Sequence, residues 1–330
     1  MKLLQKARSI LGGLQRRLVK RKPVPAATAP EVPAKGSFRR GHHEEPGVGS
    51  SHYKLYVPPA AAEGKQKLPL VVMLHGCTQN PDDFARGTGM NELAREEGFY
   101  VLYPEQPDNR GLQRCWSWFQ RNHQQPSRGE PALIAGITRK MLDKHAIDPD
   151  RVYIAGLSAG GAMAALVSRL YPELFAALGV YAGMAPGAAS GLFTAMMAMR
   201  RGGRSIVFPY TDGCVPMISF QGDLDKVVHP SNAQYLIAAC VAPDAELVSK
   251  RFRANNRDVT RTTYRNAEGE VLAESWLVHG CAHAWCGGRA GGSYTDPLGP
   301  DATAEMVRFF RQHVRKPVSA VAEEWRPDGV

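Results

Sequence analysis

The chain has 330 residues, 44% of them hydrophobic and 22% charged, with a mean hydropathy of -0.30. These values exclude wholesale disorder and a polytopic membrane protein, and six cysteines in so long a chain exclude a small disulfide-stapled scaffold. The net charge of +10 is concentrated at one end: residues 1–42 carry eleven Lys/Arg against one acid, Glu31, and the rest of the chain is balanced. A nucleic-acid-binding fold would spread its excess over a face, so no nucleic acid partner is expected.

In chain order, the arm comes first. Leu3, Leu4, Ala7, Ile10, Leu11, Leu14 and Leu18 recur at helical steps among basic residues, which predicts an amphipathic helix interrupted by Gly12 and Gly13. Its longest uncharged run, 9–15, holds two glycines, a serine and a glutamine, so it does not read as a standard signal peptide. Such an arm either contacts an anionic membrane or granule surface or stays a solvated tail. Residues 23–50, with five prolines, read as a flexible linker, which places the globular domain at 51–316 and a short tail at 317–330.

From residue 52 onward apolar runs alternate with helical patterns. Strands are expected at 52–57, 70–75, 99–103, 151–155, 177–182, 215–220, 259–265 and 271–278, and helices at 81–97, 132–145, 159–171, 231–240 and 301–314. A wholly apolar strand such as 70–74 needs cover on both faces, so an α/β fold with a mainly parallel sheet and helices on both faces is predicted. The uncharged stretch 174–199 contains Pro186 and four glycines, and reads as a buried strand, a loop and a cap helix rather than a membrane span.

Gly156-Leu157-Ser158-Ala159-Gly160-Gly161 lies between a predicted strand and a predicted helix. That is the context of a nucleophile elbow, a strained turn in which flanking glycines remove the Cβ clashes that would block it. A serine hydroxyl needs a base, and the base needs an orienting carboxylate. Asp223 and Asp225 follow one downstream strand, and His279 and His283 follow the next, in the order Ser, acid, His. The oxyanion formed on attack needs two N–H donors. Ala159 supplies one, and Cys77 is the candidate for the other, ahead of Gly76 and Thr78.

The runs Leu74-His75-Gly76-Cys77-Thr78-Gln79, Cys115-Trp116-Ser117-Trp118-Phe119, Gly156 to Gly161, Gly222-Asp223-Leu224-Asp225 and His283-Ala284-Trp285 with Gly287-Gly288 resemble the polyhydroxybutyrate depolymerase esterase family, over about residues 52–315. The family is similar to feruloyl and acetylxylan esterases. The resemblance implies the α/β-hydrolase fold and a serine esterase of short-chain polyhydroxyalkanoate polyester that needs no cofactor. It places the acid on Asp225, the base on His283 and a disulfide between Cys77 and Cys115. Gln221 departs from it, since the family often shows histidine there. The resemblance also implies an extracellular protein, whereas the lack of a standard signal peptide leaves a cytoplasmic or granule-associated one.

Trp116, Trp118 and Trp285 are assigned to a substrate-binding rim, with core packing as their other role. Cys281, His283 and Cys286 raise a metal site, but structural zinc sites show two spaced pairs, so none is expected. A feruloyl or acetylxylan esterase is the alternative function. From a different class comes an inert hydrolase domain docked on granules or membranes by the arm.

Overall fold

The computed structural model describes residues 35–64, 66–107, 112–204 and 214–315. The basic arm before Lys35 and the tail after Arg315 lie outside the described residues. The chain runs β1 (Ser37–Glu45), β2 (Gly49–Val57), β3 (Leu68–Leu74), α1 (Pro81–Thr88), α2 (Met90–Glu97), β4 (Tyr100–Pro104) and α3 (Gly129–Lys144). It continues through β5 (Ile147–Leu157), α4 (Ala159–Leu170), β6 (Ala177–Tyr181), α5 (Leu192–Arg201), β7 (Met217–Gly222) and α6 (Ser231–Ala238). The last elements are β8 (Glu246–Ala254), β9 (Arg257–Arg265), β10 (Val271–Val278), the two-residue strands β11 (Trp285–Cys286) and β12 (Thr295–Asp296), and α7 (Ala302–Phe310).

Ten strands form one sheet in the order β1-β2-β4-β3-β5-β6-β7-β10-β9-β8. From β4 to β10 every neighbouring pair is parallel, and the antiparallel pairs lie outside that centre: β1, β2 and β4 at one end, β10, β9 and β8 at the other. The central strands β3, β4 and β6 are buried nearly throughout, which is why they read as unbroken apolar runs. Helix α4 packs on β5, β6 and β3, and α7 on β6 and β7. Beneath the carboxyl ends lies an aromatic stack: Tyr181 on Phe220 at 5.7 Å, Tyr181 on Trp285 at 5.2 Å and Phe220 on Trp276 at 5.2 Å. The uncharged stretch 174–199 becomes β6, a loop and most of α5, and no described helix is long and apolar enough to cross a membrane.

Two expectations need correction. Residues 37–45 are not linker: they form β1, paired with β2 from Ser37 opposite Val57 to Glu45 opposite Gly49. The polar, charged sequence of this strand hid it, as suits an exposed sheet edge. Phe38 packs its ring 5.5 Å from Tyr103, and a Cβ on Gly136 of α3 would fall 1.9 Å from Glu45 Oε2, so the strand is closely seated. Lys35, Arg39 and Arg40 therefore belong to the described domain rather than to the arm, and Arg40 pairs with Glu105 at 3.1 Å. The single helix expected at 81–97 is two, because Gly89 adopts φ 66° and closes α1 before α2 begins.

Candidate active site

At the end of β5 the chain passes into α4 through Ser158, at φ 58° and ψ -121°. Two close approaches require the neighbouring glycines. A Cβ on Gly156 would lie 2.4 Å from the Gly160 backbone, and one on Gly160 would lie 2.1 Å from the Leu74 carbonyl oxygen. Serine at a helix N-cap ordinarily uses its hydroxyl to cap. Ser158 occupies that position without a capping bond, and its N–H donates to Tyr181 O at 2.8 Å.

Two Asp–His pairs follow β7 and β10, and they sort the sequence alternatives. Asp223 pairs with His279 at 2.9 Å, and the other ring nitrogen of His279 is taken by Thr260 at 2.9 Å. His283 Nδ1 donates to Asp225 Oδ2 at 2.7 Å, which leaves Nε2 for another partner. Asp225 also accepts from Gln221 Nε2 at 3.0 Å and from the N–H groups of Val227 and Val228 at 2.8 Å each. Burial alone would raise the Asp225 pKa. The His283 hydrogen bond and charge and the two backbone donors outweigh it and hold the carboxyl below its usual range. Among the described residues no hydrogen bond joins Ser158 Oγ to His283.

The loop after β3 faces this group. Gly76 N–H donates to Gln79 Oε1 at 2.9 Å and Thr78 N–H to Gln113 O at 2.7 Å, whereas Cys77 N–H has no backbone acceptor among the described residues. Ala159 is the first residue of α4, where N–H groups have no intrahelical partner. Cys77 is bonded to Cys115 in a disulfide, which ties this loop to the 115–119 segment. Buried Glu130 holds that segment from beneath, accepting from Ser117 N–H at 2.7 Å and Gln106 Nε2 at 2.7 Å.

The three tryptophans expected on a substrate-binding rim, Trp116, Trp118 and Trp285, are only 3%, 3% and 1% exposed. Their indoles find partners inside: Trp116 Nε1 donates to His75 O at 3.0 Å, and Trp285 Nε1 to Thr303 Oγ1 at 3.0 Å. The rings brace the loops from within the core. Exposed apolar side chains lie elsewhere, at Leu192, Phe193 and Met196 on α5 and at Leu224 and Val227 on either side of Asp225. Helix α5 is tied to the Asp225 loop through His229 N–H to Met199 O at 2.7 Å.

Sequence reasoning also missed Tyr294, whose ring lies 6.2 Å from that of His283 and whose hydroxyl meets Thr78 Oγ1 at 3.2 Å. Thr78, Ser158, Ala182 and Tyr294 all have positive φ, so left-handed backbone gathers around these loops. The donor atoms of Cys281, Cys286 and Asp296 lie within 4.8 Å of one another, a set that replaces His283 with Asp296 relative to the group raised by the sequence. Asp296 is already engaged by Arg257 at 2.6 Å.

The model of the family described as Esterase PHB depolymerase matches residues 51–274. Poly(3-hydroxyalkanoate) depolymerase C of Paucimonas lemoignei is 29% identical over 65% of this chain and 54% of its own length, so the chain spans about half of that relative. Feruloyl esterase B of Thermothelomyces thermophilus is 35% identical over 37% of this chain and 42% of its own. Among solved structures, the acetyl xylan esterase from Aspergillus awamori superposes with a TM-score of 0.58 at 21% identity, covering 75% of this chain and 94% of that one, a likeness of fold. By the extent of the family match, the chain belongs to the esterase PHB depolymerase family.

Proposed function

We propose that the protein is a serine esterase in which Ser158, His283 and Asp225 act as a triad. The observation that carries this reading is the 2.7 Å bond from His283 to a fully shielded Asp225, and it is supported by a serine in a strained elbow at the end of β5 in the same sheet. Ser158 Oγ attacks the ester carbonyl carbon while His283 Nε2 takes its proton. Asp225 holds the ring in the tautomer that leaves Nε2 basic and stabilises the imidazolium that forms. The oxyanion is received by the N–H groups of Cys77 and Ala159, at the positive end of α4. His283 returns the proton to the departing alcohol, and a water deprotonated by the same ring releases the acid.

The substrate is a short-chain hydroxyalkanoate polyester or oligomer. The similarity to the Paucimonas lemoignei depolymerase supports this, as do the exposed Leu192, Phe193, Met196, Leu224 and Val227, which suit an aliphatic chain. A feruloyl or acetylated-sugar ester is the second reading, favoured by the similarity to feruloyl esterase B. A hydrolysis panel of hydroxybutyrate oligomers, feruloyl and acetyl-sugar esters and p-nitrophenyl esters of rising chain length tests both. Preference for the oligomers is expected, and preference for the feruloyl ester would transfer the assignment. Covalent labelling by a fluorophosphonate, lost in Ser158→Ala, tests the triad itself.

A further inference from the structure

Cys281 and Cys286 stand two residues before and three residues after His283, and their Sγ atoms meet at 3.0 Å. Both are wholly buried. Tyr181 Oη donates to Cys286 Sγ at 2.9 Å, and Cys281 Sγ points its hydrogen at the carbonyl oxygens of Ala282 and Ala284, at 3.4 and 3.7 Å. We propose that Cys281 and Cys286 form a second disulfide, which ties together the two ends of the loop that carries His283. In the folded protein the contact between them pushes the Cys281 thiol up and pulls Cys286 down.

The chemistry closes with a low-molecular-weight disulfide such as oxidised glutathione. The Cys286 thiolate attacks one sulfur of the oxidant and releases one glutathione. Cys281, on giving up its proton, attacks Cys286 Sγ in the mixed disulfide and releases the second. The oxidant's S–S bond breaks, the protein's forms, two electrons pass to the oxidant, and the two thiol protons end on the two glutathiones. Because both sulfurs are buried, exchange takes place before the core closes around them. A metal is the competing use of this pair, and the donors do not favour it. Asp296, the third member, is held by Arg257 at 2.6 Å and by Leu298 N–H at 3.0 Å, and structural zinc sites use four ligands.

Both cysteines fall in one tryptic peptide, 266–289. Full-length protein produced under oxidising conditions is alkylated with iodoacetamide in denaturant, digested and weighed, with the Cys77–Cys115 bond as the internal control for oxidation. The 266–289 peptide is expected two hydrogens lighter than the dithiol and inert to alkylation. Recovery of a doubly alkylated peptide while Cys77–Cys115 is intact overturns the proposal, as does stoichiometric zinc released with both thiols free. This mapping reads the bond whether or not the chain hydrolyses esters. The loop-bracing role has its own readout. Cys281→Ser, Cys286→Ser and the double variant should each lower kcat on a small ester by the same several-fold factor with KM unchanged, because each removes the same bond. Losses that multiply in the double variant would refute the shared bond.

Discussion

Asp225 and His283 form a shielded pair, while Asp223 and His279, on the same two loops, form a parallel pair that solvent reaches. Side-chain exposures are 0% and 9% for the first pair against 33% and 25% for the second. Only the first leaves an imidazole nitrogen unengaged, since Thr260 takes the far side of His279. Asp225→Asn should therefore lower kcat for a small ester by about four orders of magnitude, because an amide favours the wrong tautomer. Asp223→Asn should change it by less than about tenfold. Steady-state rates of the two variants check this, and the reverse order would move the acid to Asp223.

The backbone at Ser158 yields a prediction about stability. Away from strain, glycine is less stable than alanine by roughly 0.5–1 kcal/mol, through the entropy of the unfolded chain. At φ 58° and ψ -121° the Cβ is a burden, and positions of this kind store about 1–3 kcal/mol. Ser158→Gly is therefore expected to be more stable than Ser158→Ala, with both variants inactive. Urea unfolding of the pair decides it: alanine more stable than glycine would mean that the elbow is relaxed.

The sequence revealed the central sheet and the elbow because both are local signals. Apolar runs mark β3 and β6, and the glycines around Ser158 mark a turn that admits no Cβ. The choice of acid was not local. The residue pattern alone leaves Asp223 and Asp225 level and only the family resemblance favours Asp225, because which histidine lies opposite which carboxylate depends on the pairing of β7 with β10. Strand β1 escaped because its charged residues mimic a solvated linker, and β8 because its side chains are mostly exposed and it lies on the sheet edge. The burial of the tryptophans was not legible because sequence shows a ring but not the carbonyl or hydroxyl its N–H reaches, here His75 O for Trp116 and Thr303 for Trp285.

His75 gives the fold a pH dependence. It is buried, its Nδ1 donates to Gly76 O at 2.8 Å, and its Nε2 accepts from Gln106 N–H at 3.2 Å, so the neutral ring fits and the protonated one does not. Burial lowers its pKa to about 4. The unfolded chain binds this proton near pH 6.5, so stability is complete above that value and falls as the pH drops towards about 4. The loss amounts to about 3 kcal/mol at 1.36 kcal/mol per unit. Urea unfolding at pH 7 and 4.5 should show it, with a shallower fall in His75→Gln. Equal slopes for the two proteins would remove His75 as the cause.

Truncation should distinguish the arm from the sheet. Removing residues 1–34 deletes eight of the basic residues and leaves β1 whole, so hydrolysis of a soluble ester is expected to persist while salt-sensitive binding to anionic vesicles weakens. Removing residues 1–48 strips β1 from β2 and uncovers the packing of Phe38 on Tyr103, so this shorter protein should lose several °C in Tm. Unchanged vesicle binding by the first truncation would make the arm a tail, and an unchanged Tm in the second would make β1 dispensable.

Substrate preference should follow the exposed apolar residues rather than the tryptophans. Trp285 is enclosed by Tyr181, Phe84 and Thr303, so Trp285→Ala opens a cavity that costs about 3–5 kcal/mol, and activity should fall alike on every ester as the fold loosens. Phe193 is 72% exposed on α5, so Phe193→Ala should leave stability within about 0.5 kcal/mol. If α5 borders the bound chain, the same change lowers kcat/KM for a hydroxybutyrate oligomer by about 1–3 kcal/mol of lost contact, and leaves a minimal acetyl ester untouched. Unfolding curves and kcat/KM for the two substrates, measured on both variants, separate the cases. A change of preference in Trp285→Ala without loss of stability would restore the tryptophan rim, and an unchanged oligomer rate in Phe193→Ala would remove α5 from the substrate path.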